Sequence, residues 1–385
     1  MKLLPFDYAI RNLARSPKRL VLVAGGSTVV TLLVLGAVAF SRGMESAMSA
    51  TGLATNALVL GSGSEESLER SEIPPATASV IAASIDGLAL SAGRPVVSAE
   101  NQAAFPVTVG DAAATLNAPP ILVRGFENEA FLVHPQVRLI EGRWPDAGED
   151  EVTAGVEALG KLGAGAIGDT LHIAGKPFTI VGIFDAHGTA MHGEIWMRLD
   201  RHAQLSQRTT LSSVVVALGS ADYEDIEALT ISRLDLETIS MLESEYYSRL
   251  NDFFAPIRVL VFVTALLVSS GGVLGGINAM YAAFSSRVRE VGTLQALGFS
   301  RTAIALSLVL ESTVACVAGA LIACVIGLIV LDGVAIRFSM GSFGLAVDSH
   351  AIASALIAGI SLGVVGALPA IVRCLSLPIP TALRS

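Results

Sequence analysis

Charge is what this chain has least of. Of its 385 residues only 15% are Asp, Glu, Lys or Arg, against about 25% in an ordinary soluble domain. Apolar residues make up 52% and the mean hydropathy is +0.64. That balance excludes a disordered chain, which requires high charge and low hydrophobicity. Positive charge is the scarcer sign, with a net of −9, which excludes a basic nucleic-acid binder. Cysteine is almost missing: Cys316, Cys324 and Cys374 are all there is, and they lie in or beside apolar runs. The long polar segment between those runs has none, so it is stable from its own core without disulfides. Catalytic signatures are absent too. There is no G-x-S-x-G elbow and no credible nucleophile–base set.

What is present is long apolar runs. Residues 20–40, 259–286 and 351–372 carry no charge, and 302–331 carries only Glu311. Each is long enough for a helix that crosses a hydrocarbon core of about 30 Å. None alternates with period two, so helices rather than barrel strands are expected. Glu311 is the one ionisable residue well inside a run. Such residues are costly in lipid, and a capping or pairing role near the membrane surface is the favoured reading.

The charges that remain are segregated. Residues 42–255 hold 13 Lys and Arg against 29 Asp and Glu, a net of −16, and the rest of the chain is +7. An acidic polar domain is thus inserted into a basic membrane part. Basic residues flank the apolar runs at Lys2, Arg11, Arg15, Lys18 and Arg19, at Arg287, Arg289 and Arg301, and at Arg373 and Arg384, with only Arg337 between the last two runs. The positive-inside rule puts both termini and the 287–301 loop in the cytoplasm and the acidic domain outside. Ala37-Val38-Ala39 has the look of a signal-peptidase site, but the run is longer than an h-region, so an uncleaved helix is expected.

The acidic domain reads as α+β. Strands are expected at 57–60, 96–98, 105–109, 121–126, 170–173, 178–184, 194–199 and 214–218, with a hairpin at Ala174-Gly175. Helices are expected at 76–85 and 222–229, a flexible loop at 62–71, and a stalk helix over 236–254 that continues into the second run. Gly155 to Lys161 fits most of a phosphate-loop pattern. Leu162 then stands where Ser or Thr is needed and no buried strand is expected before it, so nucleotide binding is rejected there. Gly163-x-Gly165-x-x-Gly168 lacks a strand–turn–helix setting and reads as turn glycines. His187, His192 and Glu194 have the side chains for zinc but read as a glycine-rich loop tip.

Between the second and third runs lies Ser286-Arg287-Val288-Arg289-Glu290-Val291-Gly292-Thr293-Leu294-Gln295-Ala296-Leu297-Gly298-Phe299-Ser300-Arg301. Val291, Leu294 and Leu297 recur at helical spacing, Gly298 suits a helix end, and Ser300 suits the next N-cap. A short amphipathic helix is expected here. In the second run, Gly271, Gly272, Gly275 and Gly276 form overlapping small-xxx-small pairs that permit close helix approach, either at a dimer interface or within one chain.

The 287–300 segment resembles the coupling helix of the FtsX-like, MacB/LolC-type ABC transporter permeases. So does the order of several looser motifs: Tyr8 to Arg15 before the first run, Gly142-Arg143-Trp144-Pro145, Gly168-Asp169-Thr170, Val181 to Phe184, Gly363 to Ala370, and the tail to Arg384. The resemblance implies four transmembrane helices arranged 1+3 with an inserted α+β MacB-like extracytoplasmic domain. Its parts would be 1–41 (amphipathic entry and first span), 42–252 (domain with stalk) and 253–385 (three spans with coupling helix 287–298). It implies a bacterial inner-membrane permease subunit that is not itself an enzyme. It implies that the chain itself binds no cofactor and that ATP and Mg are held by a cytoplasmic ATPase present in two copies. Coupling falls to Arg287, Arg289, Glu290, Gly292, Leu294, Leu297 and Gly298, with Leu294 and Leu297 as apolar anchors. A second permease, membrane lipids, and a periplasmic adaptor with an outer-membrane channel are the implied partners. Motion transmitted to the outer domain would export a substrate or extract it from the membrane. The competing reading is an FtsX-like regulator of cell-wall hydrolases that transports nothing.

Overall fold

A computed structural model of the chain describes residues 17–110, 118, 120–163, 165–285, 288–338 and 341–376. They fall into two compact units, one drawn from Met1–Gly43, Pro256–Val334 and Leu345–Ser385, the other from Met44–Ala255 and Ala335–Gly344.

The first unit is helical. The apolar runs form helices Pro17–Thr51, Ala255–Ser285, Arg301–Ile326 and Ser349–Ser376, the third extended by a π-turn over Gly327–Leu331. Among the described residues, four helices are thus long and apolar enough to cross a membrane. Small residues let them approach. A β-carbon on Gly319 would stand 2.3 Å from the Ala24 carbonyl oxygen, and one on Gly363 would stand 2.6 Å from Thr313 Cα. Hydrogen bonds finish the contact: Ser27 Oγ donates to the Cys316 carbonyl at 2.9 Å and Thr28 Oγ1 to the Gly319 carbonyl at 3.0 Å. In lipid such packing and hydrogen bonding replace the hydrophobic drive between helices. Asp348 caps the last helix through the Ala351 N–H and accepts from Arg42 at 2.9 Å. The second helix is the outlier, with almost its whole apolar window exposed.

The second unit is α/β. In chain order its strands are β1 Asn56–Gly61, β2 Leu90–Ser91, β3 Arg94–Pro95, β4 Val97–Val109, β5 Pro120–Phe126, β6 Arg138–Gly142, β7 Glu151–Gly155, β8 Thr170–Ile173, β9 Lys176–Asp185, β10 Ile195–Arg198, β11 Ser213–Ala217 and β12 Thr238–Leu242. A hairpin over Ala335–Phe338 and Gly341–Gly344 follows. The main sheet runs β12-β1-β11-β4-β5-β10-β7-β9-β6. β8 pairs with both β4 and β9, so β4, β5, β10, β7, β9 and β8 close into a ring.

Alternation explains the cores. In β1, Ala57 and Val59 face the helices Thr77–Ser84 and Tyr223–Ser232, while Leu58 and Leu60 face Met48, Tyr246 and Leu250. Both faces of this strand are buried, which is why it reads as a continuous apolar run. The ring is filled by Val107, Val123, Leu171, Ile180, Ile195 and their neighbours.

Four expectations change. Residues 96–98 and 105–109 belong to one 13-residue strand, β4. The polar run Glu100-Asn101-Gln102 hid its middle, yet all three are buried; Asn101 Oδ1 accepts from the Ser212 N–H at 2.8 Å. The stalk helix starts only at Glu243 (Glu243–Phe253), because Thr238–Leu242 pairs antiparallel with β1, and sheet pairing overrides local helical pattern. A break at Phe254 separates it from Ala255–Ser285. In the 62–71 loop, Leu68 and Ser71 are buried, and Ser71 Oγ accepts from the Gly61 N–H at 2.9 Å. A buried strand, β7, does precede the Gly155–Lys161 stretch. The phosphate site is still excluded, since a β-carbon at Gly155 would lie 2.2 Å from the His192 carbonyl oxygen and Lys161 pairs with Glu157 at 3.0 Å.

Candidate functional site

The expected coupling segment lies in the helical unit. Arg287 falls outside the described residues, as do the entry motif Tyr8 to Arg15 and the tail from Leu377. The helix spans Val288–Ala296, and Gly298 follows with φ +87, a left-handed conformation that closes it. Ser300 caps the next helix, its Oγ accepting from the Ala303 N–H at 3.2 Å. Val288, Val291 and Leu294 pack on a cluster with Ile304, Leu308 and Ile371, and Gly292 is buried among them. Leu294 therefore packs on the chain's own core. Leu297 is 66% exposed, and Arg289 and Glu290 are exposed beside it. The outward surface is thus one apolar residue flanked by charge.

Gly272 packs within the unit, where a β-carbon would lie 2.5 Å from Val30 Cγ2; Gly271, Gly275 and Gly276 have no atom that close. With Gly272, Gly275 and Gly276 on one wall and Ser27, Cys316 and Gly366 on others, the helices leave a cavity of about 240 Å³. Glu311 is buried on the helix face that also buries Ser307, Leu308 and Ser312.

The feature not anticipated is a cluster of acidic and basic side chains buried inside the α/β unit. Arg124, at the middle of β5, is 2% exposed. Its Nε and Nη2 donate to the two carboxylate oxygens of Glu194 at 2.8 and 2.9 Å, and Nη1 donates to Glu100. Gln102, with its amide oxygen turned toward the guanidinium, accepts from Nη1 and Nη2 at 2.7 and 2.9 Å. Trp196 Nε1 donates to Glu194 at 2.8 Å, and its ring lies under the guanidinium, 5.4 Å from Cζ. Such a bidentate, satisfied arrangement is what a buried charge requires.

Glu100 continues the chain. Its second oxygen accepts from Ser98 Oγ at 2.9 Å and lies 2.8 Å from His134 Nε2. Burial alone would raise the Glu100 pKa, but His134 and Arg124 outweigh it and hold the carboxyl at about 2. Burial would lower the His134 pKa, yet Glu100 and Glu243 raise it above its ordinary value. Glu243 lies 3.7 Å from His134 Nδ1 and is pushed up by burial. It also accepts from Asn56 Nδ2 at 2.9 Å and from the Leu53 N–H at 3.1 Å.

The elements joined here matter. Leu53 follows the last turn of Pro17–Thr51, and Glu243 opens Glu243–Phe253. Glu243 therefore ties the segment after the first helix to the start of the helix that precedes the second. Nearby, Thr51 Oγ1 accepts from the Ala190 N–H at 2.8 Å, and the Thr51 carbonyl accepts from Gln136 Nε2 at 3.0 Å. The sequence held one hint of this joint. Arg124 stands alone in Ile121-Leu-Val-Arg-Gly-Phe126, and Glu194 directly precedes Ile-Trp-Met; lone charges in otherwise apolar strands must find partners if buried.

Residues 20–230 match the family model of the MacB-like periplasmic core domain, and residues 262–379 match that of the FtsX-like permease C-terminal. The macrolide export ATP-binding/permease protein MacB of Pasteurella multocida (strain Pm70) is 22% identical over 240 residues, 56% of this chain and 37% of that protein. The match thus spans little more than a third of that relative. Among solved structures, the periplasmic region of MacB from Actinobacillus actinomycetemcomitans is 12% identical with a TM-score of 0.39, covering 52% of this chain and 93% of that one. The extracellular domain of the noncanonic ABC-type transporter YknZ from Gram-positive bacteria is 14% identical with a TM-score of 0.37, covering 48% and 99%.

Proposed function

The chain belongs to the FtsX/MacB-type ABC transporter permeases, and from that premise we propose that it couples ATP hydrolysis on a cytoplasmic ATPase subunit to movement of its extracytoplasmic domain. The four apolar helices anchor it in the inner membrane in a 1+3 arrangement, with the acidic domain on the periplasmic side. The charge asymmetry supports this orientation, and it puts the helix Val288–Ala296 on the cytoplasmic side.

One observation carries the reading: Glu243, with Leu53 and Asn56, ties together the two ends of the inserted domain inside a buried ionic cluster. A displacement of either end is then delivered to β1, β4, β5 and β10 together, instead of being absorbed in a loose linker. Substrate is handled by the outer domain, for export or for extraction from the membrane, and no route through four helices is needed. The exposed second helix supports packing against a second permease.

At the cytoplasmic end, Leu297 inserts into a groove of the ATPase, while Arg289 and Glu290 form rim contacts that set orientation. Deleting the whole helix would also remove Val291 and Leu294 from the core, so the cleaner test is the pair of substitutions Leu297→Glu and Arg289→Glu. The expected result is loss of ATPase co-purification with unchanged thermal unfolding of the permease. A complex retained at wild-type yield would overturn the assignment.

A further inference from the structure

The loop that joins β9 to β10 brings three metal-ligating side chains together. Asp185 ends β9, His187 stands two positions on, and His192 lies in the short 3-10 turn Ala190–Gly193. One ligand atom from each lies within 4.8 Å of the others. Asp185 Oδ1 and His192 Nδ1 are 3.2 Å apart, close to the roughly 3.3 Å edge of a tetrahedron with metal–ligand bonds of about 2.0–2.1 Å. The two imidazole rings stand at 87° with centroids 5.7 Å apart. Glu194 takes no part, because Arg124 and Trp196 occupy its oxygens.

The backbone that holds these groups is fixed from several sides. Thr189 Oγ1 donates to the Ala186 carbonyl at 2.6 Å, the Glu194 N–H donates to Met191 at 3.0 Å, and the Ala190 N–H donates to Thr51 at 2.8 Å. Gly188, at φ +78, makes the turn that folds His187 back toward His192. His192 is 17% exposed. Its Nδ1 accepts from the Ala186 N–H at 3.3 Å and faces Asp185 Oδ1 at 3.2 Å. Asp185 is 44% exposed and His187 is exposed, so an ion has a path from solvent and His187 has room to swing in.

We propose that Asp185, His187 and His192 form a binding site for a late first-row divalent metal ion, Zn²⁺ above all. Two imidazoles and one carboxylate are a donor set of borderline softness, suited to such ions and poor for Mg²⁺. Three protein ligands leave a position for water. The ion would clip the end of β9 to the turn that leads into Glu194, so its occupancy would stiffen the approach to the buried ionic cluster.

The test uses the full chain in detergent, without a histidine tag, titrated with Zn²⁺ against a chromogenic chelator. Expected is one Zn²⁺ per chain, with affinity reduced about tenfold or more in His187→Ala and in Asp185→Asn. Zn²⁺ should also raise the unfolding temperature of the wild type and leave that of His187→Ala unmoved, since a ligand that binds only the folded state stabilises it. Mg²⁺ should do neither. Because His187 is exposed, its removal spares the fold; for the wild type, Co²⁺ gives a second readout as an intense tetrahedral visible band. No stoichiometric Zn²⁺, wild-type affinity in both variants, or a Co²⁺ spectrum like that of the aqueous ion would overturn the proposal.

Discussion

Arg124→Met is the most demanding test of the buried cluster. Met nearly matches the length of the arginine stem but carries no charge and no donors. The substitution removes the bidentate pair to Glu194, the bond to Glu100 and both bonds to Gln102. Glu194 is then left in the core without Arg124, and Glu100 keeps only His134 of its two basic partners. Removing one member of a buried ion pair costs roughly 3–5 kcal/mol, a large share of the roughly 5–15 kcal/mol that holds a domain folded. For a domain of 150–250 residues each kcal/mol moves the midpoint by about 2–4 °C, so the loss should be roughly 6–20 °C. The assay needs no label. The chain has two tryptophans, Trp144 and Trp196, with ring centroids 6.0 Å apart, and Trp196 touches the guanidinium. Thermal unfolding of the full chain followed by tryptophan fluorescence therefore reports this core. Lowering the pH should shrink the deficit, because the stranded carboxylates take up protons and lose their charge. Adding Glu100→Gln and Glu194→Gln should recover most of it. A drop under about 2 °C at neutral pH, less than about 1 kcal/mol, would refute the claim that these charges are structural.

Two further outcomes follow from the geometry. His134 has a folded pKa raised above its ordinary 6.5; its contribution is fully present below 6.5 and is lost as pH rises through the raised value, whereas that of Glu100 is lost as pH falls from 4.5 toward about 2. Unfolding temperature measured across pH should fall on the alkaline side in the wild type and lose that slope in His134→Gln; an unchanged slope would count against the His134 assignment. Among the helices, Gly319→Val should prevent stable packing of the first helix on the third, since a β-carbon there already lies 2.3 Å from the Ala24 carbonyl oxygen. Gly275→Ala should leave the monomer's stability within about 0.5 kcal/mol. Detergent unfolding curves of the two variants separate these cases, and equal losses would show that the close approach at Gly319 is unimportant.

Much of the framework was legible from local pattern. The four helices follow from uninterrupted apolar length, and β1, β5, β8, β9 and β11 follow from alternation or from apolar runs bounded by turns. The MacB-like and FtsX-like character was carried by motif order, and the family matches bear it out. What local pattern did not reveal is long-range pairing. Glu100, Arg124, His134, Glu194 and Glu243 meet across as many as 143 positions, and nothing beside each residue names its partner. Thr238–Leu242 became a strand because β1 offered it an edge, a fact external to its own sequence. Leu294 packs on the chain's own cluster, and an amphipathic stripe reads the same whether it faces another protein or the helix beside it.

β4 carries a mechanical implication of its own. Along its 13 residues it pairs first with β11, then with β5, then with β8, so one backbone serves both the open sheet and the closed ring. A torque that tried to twist one against the other would have to break ladder hydrogen bonds on three neighbours at once. The open sheet and the closed ring are thus fastened to each other along one continuous strand.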